Sequence, residues 1–508
     1  MSELKSKKLC EYTGIFLIAI AFLFLYAIST SPLTSHFWGS DSAFFQMVGK
    51  NLNQGLIMYK DIFDIKGPYL FLIQYLGYAL GIGRYGVFIL ETTNLCITLF
   101  FILKSIELIN PEKRVFCLAA SLLLFFFFLA CTLDCGNLSE EYALPYLFFC
   151  LFLFLRYKKQ NKIGLAAFGY GIAFTMASLG RVTNSMFICI LTLDIMIDMI
   201  IEKNWAELFK SAGLFILGFI LSFAPFLIYF ASVNALPDML EAVFIFSFSY
   251  AVESSFLESI HAMRWPIIII FIAQTLLALK SSRREYKKVM FLMLNVIVMF
   301  ITLTLGNGYI HYYQTLLPGI LTAFWLWWSQ EEQTMHFKNY LFLFFGISIF
   351  INLVYFVPYS GRVVAAVGMN TQERAQTSFG RFAQKIEQFD SYGRGNYGYE
   401  SQMYVNDILS KIPEEDRNSV YNYETNAHWL LLSDLKPYNK YCITADHFSC
   451  LSKSIADDIK TMFKTEKPEY IVTNTDITIN NTTVKKHITN DYTCIYQNNT
   501  YALYEQNK

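Results

Sequence analysis

"HFWGSDSAFFQMVGKNLNQGLIMYKDIFDIKGPYL", residues 36–70, places Asp41, Asp61, Asp64 and Lys66 between an apolar run at residues 12–29 and further hydrocarbon-like sequence. The chain around it is built for lipid. Hydrophobic residues make up 55% and charged residues 16%, with 48 Phe, and mean hydropathy is +0.37; a soluble domain averages about 25% charged residues. Several stretches approach the roughly 20 apolar residues that cross a bilayer as a helix, and residues 115–133 carry no charge. Helices are the natural spanning form because they satisfy their own backbone polar groups. The formal net charge of zero gives no reason to expect a nucleic-acid partner.

Lys and Arg positions set the expected topology. Lys5, Lys7 and Lys8 precede the first run and place the amino terminus in the cytoplasm. That run is too long, and lacks a convincing cleavage site, to be a removed signal peptide, so it is read as the first span. Basic turns follow at 104–114, 156–162, 203–210 and 280–288, with a weaker one around Lys338. With each of these inside, the spans pair off to a total of about eleven and the carboxyl terminus lies outside.

The quoted stretch then falls in a first outer loop, 30–84. Ser40 or Asp41 can cap a short helix with Phe44, Phe45, Val48 and Leu52 on one face and Gly55 near its end, lying along the membrane surface. Residues 68–82 are apolar but short for a span, and a full crossing there would put Lys104, Lys113 and Arg114 outside. An interfacial or re-entrant helix is expected instead.

Composition changes near 358. The expected organisation is therefore a transmembrane part, 1–357, and a small extracytoplasmic α/β domain, 358–508. Strands are expected in "SVYNYE", "KYCIT" and "EYIVTN", an amphipathic helix in "SIADDIKTMFKTE", and a closing hairpin in "YTCIYQNNTYALYE" with its turn at 497–500. Ten cysteines show no CxxC pair. Cys442 and Cys450 could be bridged in an oxidising compartment or remain thiols, and both readings stand. There is no phosphate loop, Walker sequence, HExxH or internal repeat.

Under this topology the polar groups gather on one side. Asp41, Asp61, Asp64 and Lys66 are joined by Asp134, Glu140 and Glu141 in "TLDCGNLSEEYALPY", by Arg181 in "SLGRVTN", by Glu241, Glu253, Glu258, His261 and Arg264, and by His311, Tyr312 and Tyr313 in "GNGYIHYYQTLLPG". Ionisable groups near the lipid boundary are costly, which makes such a cluster a functional candidate. A carboxylate there can act as a general base, and cations suit a phosphate whose lipid tail stays in the bilayer. The combination fits transfer of a sugar from a lipid phosphate. Each residue also has a structural reading: Asp41 as a helix cap, Lys66 as a snorkelling lysine, Arg181 as the partner of a nearby carboxylate, Glu140 and Glu141 as acids at a span end, His311 and Tyr312 as an interfacial belt, and Asp61 and Asp64 as solvated loop residues.

An acidic residue after the first span, a surface helix, and a lysine and proline opening a second helix resemble the GT-C membrane glycosyltransferases. Within these the chain is similar to the protein O-mannosyltransferase and aminoarabinose transferase group. "GSDSAFFQMVGKNL" resembles their first catalytic loop, "FDIKGPYLFLIQ" their Lys-Pro-Pro segment and "DCGNLSEEYALPY" their second acidic loop. The match covers roughly the first 200 residues, beyond which only the layout agrees. Ser42 stands where many relatives have a second acid, and Gly67 and Pro68 where many have two prolines.

The resemblance implies an inverting transfer from a polyprenyl-phosphate-linked sugar to a cell-envelope glycan, glycolipid or protein, at the plasma membrane. Asp41 is then the base, Lys66, Arg181 and His311 hold the donor phosphate, and Glu140, Glu141, Asp134 and Tyr312 position the acceptor or a cation. No cofactor is assigned. A divalent cation stays open, because Asp41 alone is a poor site without a partner from another loop. Two alternatives are a transporter or flippase and a polymerase or ligase of lipid-linked saccharides.

Overall fold

The computed structural model describes residues 2–32, 39–109, 114–248, 265–281, 286–304, 309–328 and 399–507. The chain is predominantly helical and divides into two compact units. The first unit takes the described residues of 1–27, 88–228 and 254–363, and the second those of 28–87, 229–253 and 364–508.

The first unit is built from long apolar helices. Among the described residues five are long and apolar enough to cross a membrane: Arg84–Ile109, Arg114–Thr132, Val182–Ile201, Trp205–Ser232 and Lys287–Thr304. In chain order the helices used below are α1 (Ser2–Tyr26), α2 (Ser40–Asn53), α3 (Pro68–Ala79), α4 (Arg84–Ile109), α5 (Arg114–Thr132), α6 (Ser139–Gln160), α7 (Ala166–Gly180), α8 (Met186–Ile201) and α9 (Trp205–Ser232). Leu99 and Ile102 of α4, Phe125 of α5, Leu147 and Leu151 of α6, Leu191 of α8 and Trp325 form one buried core. The Trp325 indole donates to Ser121 Oγ at 2.8 Å, so its polar atom is satisfied inside.

Helices α7 and α9 cross at backbone contact. A Cβ on Gly171 would lie 2.1 Å from the Phe215 carbonyl oxygen, and one on Gly218 2.2 Å from that of Phe168. Small residues permit such close crossings between apolar helices. At one end of the bundle, Lys158 of α6 pairs with Asp194 and Asp198 of α8, and Lys287 reaches Asp198 at 3.0 Å and Glu202 at 3.3 Å. Neutralisation by cations explains how Asp194 and Asp198 can sit buried in an otherwise apolar helix.

The second unit joins the first loop to the C-terminal region. Helix α3 has 12 residues, about 18 Å at 1.5 Å per residue, short of the roughly 30 Å hydrocarbon core. It packs closely on α2: a Cβ on Gly49 would lie 2.7 Å from the backbone carbon and oxygen of Gln74. Burial in α2 runs continuously from Ser42 to Gly49. That exceeds the single apolar face expected from Phe44, Phe45, Val48 and Leu52, because α3 and the helix His428–Ser433 both pack on α2.

The C-terminal region carries a four-stranded sheet in the order β1 (Val420–Asn422), β2 (Tyr470–Asn474), β4 (Tyr501–Gln506), β3 (Tyr492–Gln497). β1 runs parallel to β2, and β4 antiparallel to β2 and β3. The expected hairpin and the helix, Lys453–Thr465 with Ile455, Ile459, Met462 and Phe463 buried, are present. "KYCIT" is not a strand. Its backbone oxygens are used elsewhere: Lys440 accepts from the Phe63 amide at 2.8 Å and Cys442 accepts from the Asn422 side chain at 2.5 Å, while Thr444 takes a left-handed φ of 55°. Cys442 and Cys450 are not joined by a disulfide.

Candidate functional site

The first group of site residues lies in the second unit. Asp41 sits in the first turn of α2, whose N-cap is Gly39 at φ 75° with no side-chain cap bond. The capping role open to Asp41 or Ser40 is therefore not taken. Ser42, which stands where relatives carry a second acid, is buried and accepts from Ser29 Oγ at 2.6 Å, and Gln46 Nε2 donates to both hydroxyls at 3.0 and 3.2 Å. These three polar side chains fix the start of α2 to the end of the preceding segment. Among the described residues Asp41 itself has no hydrogen-bond or ion-pair partner.

Asp64 and Lys66 are brought beside it by a compact turn. Asp64 Oδ1 accepts the Lys66 amide at 2.7 Å and lies 3.9 Å from its ammonium. The Lys66 ammonium stands 5.1 Å over the Phe45 ring of α2, a cation–π distance, and Tyr59 donates to the Lys66 carbonyl at 2.7 Å. Asp64 was expected in solvent and is instead buried. Burial pushes its carboxyl above the ordinary range, the Lys66 charge and amide oppose this, and the Asp41 charge adds to it. Asp61 accepts the Ile57 amide at 2.7 Å, a local turn bond.

The whole loop is anchored through Phe63. Its ring meets Phe246, Tyr441 and Phe448 at centroid distances of 5.5, 5.2 and 5.5 Å. Beside it, Ser247 Oγ donates to the Ile65 carbonyl at 2.9 Å, and Lys50 of α2 pairs with Asp434 at 2.5 Å.

The second group assembles in the first unit. Arg181, the residue that ends α7, pairs with Glu140 of α6 at 2.9 Å and lays its guanidinium 3.6 Å from the Tyr312 ring centroid. His311 meets Tyr312 edge-on at 4.7 Å, stacks on Tyr309 at 5.6 Å, and approaches Asp134 through Nδ1 at 3.4 Å. Asp134 and Glu140, Arg181, and His311 and Tyr312, three segments distant in sequence, thus form one cluster of acidic and basic groups faced with aromatic rings. Arg181 has the carboxylate partner that its structural reading supposed. A planar guanidinium with several N–H donors is the side chain best suited to binding an oxyanion.

Glu141 does not join this cluster. It turns to the loop before α6, where its Oε2 and Glu91 Oε1 both accept the Asn137 amide, at 3.0 and 2.7 Å. Glu91 was not anticipated, although an acid within the apolar sequence of α4 is the kind of signal that marks a working residue. Tyr313 is buried in the core, and Glu241 is exposed at the start of the π-helical segment Glu241–Phe246. Glu253, Glu258, His261 and Arg264 lie outside the described residues. Among the described residues no three His, Cys, Asp or Glu side chains are grouped to hold a metal ion.

Residues 4–326 match the family described as "Putative competence-induced protein Ccs4 N-terminal domain". The chain belongs to that family. The match takes in both groups of candidate residues of this Ccs4-type domain and stops short of the C-terminal sheet. No curated protein matches. Solved structures share its architecture at low identity. ArnT from Cupriavidus metallidurans bound to undecaprenyl phosphate is 12% identical, with 98% of each chain covered and a TM-score of 0.59. The apo form gives 11%, coverage of 99% of this chain and 98% of that one, and 0.56. The apo oligosaccharyltransferase of Archaeoglobus fulgidus is 12% identical over 91% of this chain and 69% of its own, at 0.53. The protein therefore has an ArnT-like GT-C fold, with a small C-terminal α/β region.

Proposed function

We propose that this protein is a multi-pass membrane glycosyltransferase that moves a sugar from a polyprenyl-phosphate donor to a cell-envelope glycan, glycolipid or protein on the extracytoplasmic face. On this reading residues 1–357 make the membrane part, the amino terminus is cytoplasmic, and the 358–508 domain lies outside the plasma membrane. The observation that carries the reading is Asp41: a carboxylate in the first turn of α2, unused as a cap and without a partner among the described residues, in a loop that also holds Lys66. A carboxylate that served as the helix cap would be bonded to the first amides of α2, and Asp41 is not. The fold shared with ArnT, a protein seen with undecaprenyl phosphate, supports a lipid phosphate as the donor's leaving group.

The chemistry follows. Asp41 takes the proton of an acceptor hydroxyl as its oxygen bonds to the anomeric carbon from the face opposite the phosphate. The carbon–oxygen bond to phosphate breaks, the electron pair leaves with the polyprenyl phosphate, and configuration inverts. Lys66, Arg181 and His311 stabilise the departing charge, the form of help worth most in a site sheltered from water. Glu140, Asp134 and Tyr312 orient Arg181, His311 and the acceptor. A phosphate leaves already as an anion, so a general acid contributes little.

The test uses the purified chain in lipid vesicles with a panel of radiolabelled polyprenyl-phosphate sugars and envelope extract. Release of label by the native chain, lost in a normally folded Asp41→Asn variant, is expected. Full release by that variant overturns the assignment of the base. Movement of labelled lipid across the vesicle without release, equal in both proteins, replaces the transferase with a transporter.

A further inference from the structure

The loop between α5 and α6 has a backbone that ordinary side chains avoid. Asp134, Cys135, Gly136 and Asn137 follow one another at φ of 46°, 80°, 85° and 62°. Three of the four are not glycine, and each such residue costs about 1–3 kcal/mol unless its surroundings enforce it. Strain of this kind persists only where something holds it.

What holds it is buried in the first unit. Glu91 is fully buried and Glu141 is 2% exposed. Their carboxyl oxygens converge on the one Asn137 amide at 2.7 and 3.0 Å, which holds the two carboxyl groups side by side. Successive amides in a left-handed turn form a concave site for an anion. Here the chain supplies its own anion. The turn also needs glycine at its centre, since a Cβ on Gly136 would stand 2.9 Å from Glu91 Oε1 and from Ala27 Cβ. Asn137 Oδ1 accepts from Tyr142 at 2.8 Å, Asn94 donates to the Glu141 carbonyl at 2.8 Å, and Gln314 to the Thr132 carbonyl at 2.9 Å. The first residue of the strained run is Asp134, which faces His311 at 3.4 Å.

We infer that Glu91, with Glu141, is a positioning residue: the carboxyl pair clamps residues 134–137 in their strained turn and thereby aims Asp134 at His311. The transfer half of the inference rests on the function proposed above. Two carboxyl groups converging on one amide repel each other unless one of them carries a proton, so the clamp is served by one donor and two acceptors. Glutamine at 91 can supply both its acceptor and the donor, whereas leucine supplies neither. A misplacement of about 1 Å can cost on the order of 100-fold in rate.

Cys135, buried within the turn, reports the clamp independently of any transfer. Full-length chain in vesicles is labelled with a maleimide, and the rate at Cys135 is read by mass spectrometry of its peptide, beside transfer measured per folded molecule with the radiolabelled donor panel. Glu91→Leu is expected to raise labelling at least about tenfold and to lower turnover about 100-fold at unchanged donor KM, with Glu91→Gln near the native values in both. Native labelling in Glu91→Leu overturns the clamp. A Glu91→Gln turnover as low as that of Glu91→Leu overturns it too, since the charge itself would then be the requirement. Raised labelling in Glu91→Leu, with no transfer by the native chain, leaves the clamp standing and removes the proposed function instead.

Discussion

Removing Arg181 isolates the site's central contact. Its guanidinium pairs with a Glu140 side chain that is 3% exposed, is itself 20% exposed, and covers the Tyr312 ring. Arg181→Ala leaves the Glu140 carboxylate enclosed without its ion-pair partner and with only His311 acting on it, a loss that costs about 3–5 kcal/mol when both partners are fully buried. Because Arg181 keeps some access to water, the lower end, about 3 kcal/mol, is expected. Glu140→Gln in the same chain removes the stranded charge, so the double variant should recover at least half of that loss. Activity should not return with stability, because on the proposed reading the cation serves the donor phosphate. The assay is unfolding in detergent followed by a thiol-reactive dye that reports exposure of buried cysteines such as Cys150, run on the native chain, both single variants and the double. An Arg181→Ala chain as stable as the native one, or a double variant no more stable than Arg181→Ala, would refute the enclosed pair. Recovery of transfer in the double variant would refute the role of Arg181 toward phosphate.

Two further outcomes concern the first loop. Phe63→Ala empties a ring site lined by Phe246, Tyr441 and Phe448, at a cost of about 3–5 kcal/mol. Amide exchange over residues 56–66 should accelerate while α5 and α6 keep their protection; unchanged exchange in the loop would contradict the anchor. Asp64 has a folded-state carboxyl raised by burial, so its contribution is fully present below the ordinary carboxyl range and is lost as pH rises through the raised value. Asp64→Asn keeps an acceptor for the Lys66 amide and should flatten that decline as pH rises above the ordinary carboxyl range; a melting profile with the native slope would count against it.

Membrane class, the polar first loop, the short α3 and the closing hairpin were all legible in the residues, since each follows from local pattern: apolar run length, proline before a helix, alternation around a turn. The strand expected at "KYCIT" was not there because β-propensity ranks a segment without knowing what its carbonyls can bond, and the Phe63 and Asn422 donors lie far away in sequence. Asp64 was misplaced in solvent for the same reason, its burial coming from the fold of the loop and not from its neighbours in the chain.

The acids show the division most clearly. Sequence by itself determined that Glu140 and Glu141 open a helix at the edge of an apolar span, and that Asp41 begins another. It could not separate their tasks. Adjacent residues on a helix point about 100° apart, so Glu140 turns to Arg181 and Glu141 to the Asn137 amide that Glu91 also binds. Which partner waits in each direction is decided only when α4 and α7 pack beside α6, because burial in apolar surroundings forces every carboxyl to find a donor and tertiary packing alone determines which donors are within reach.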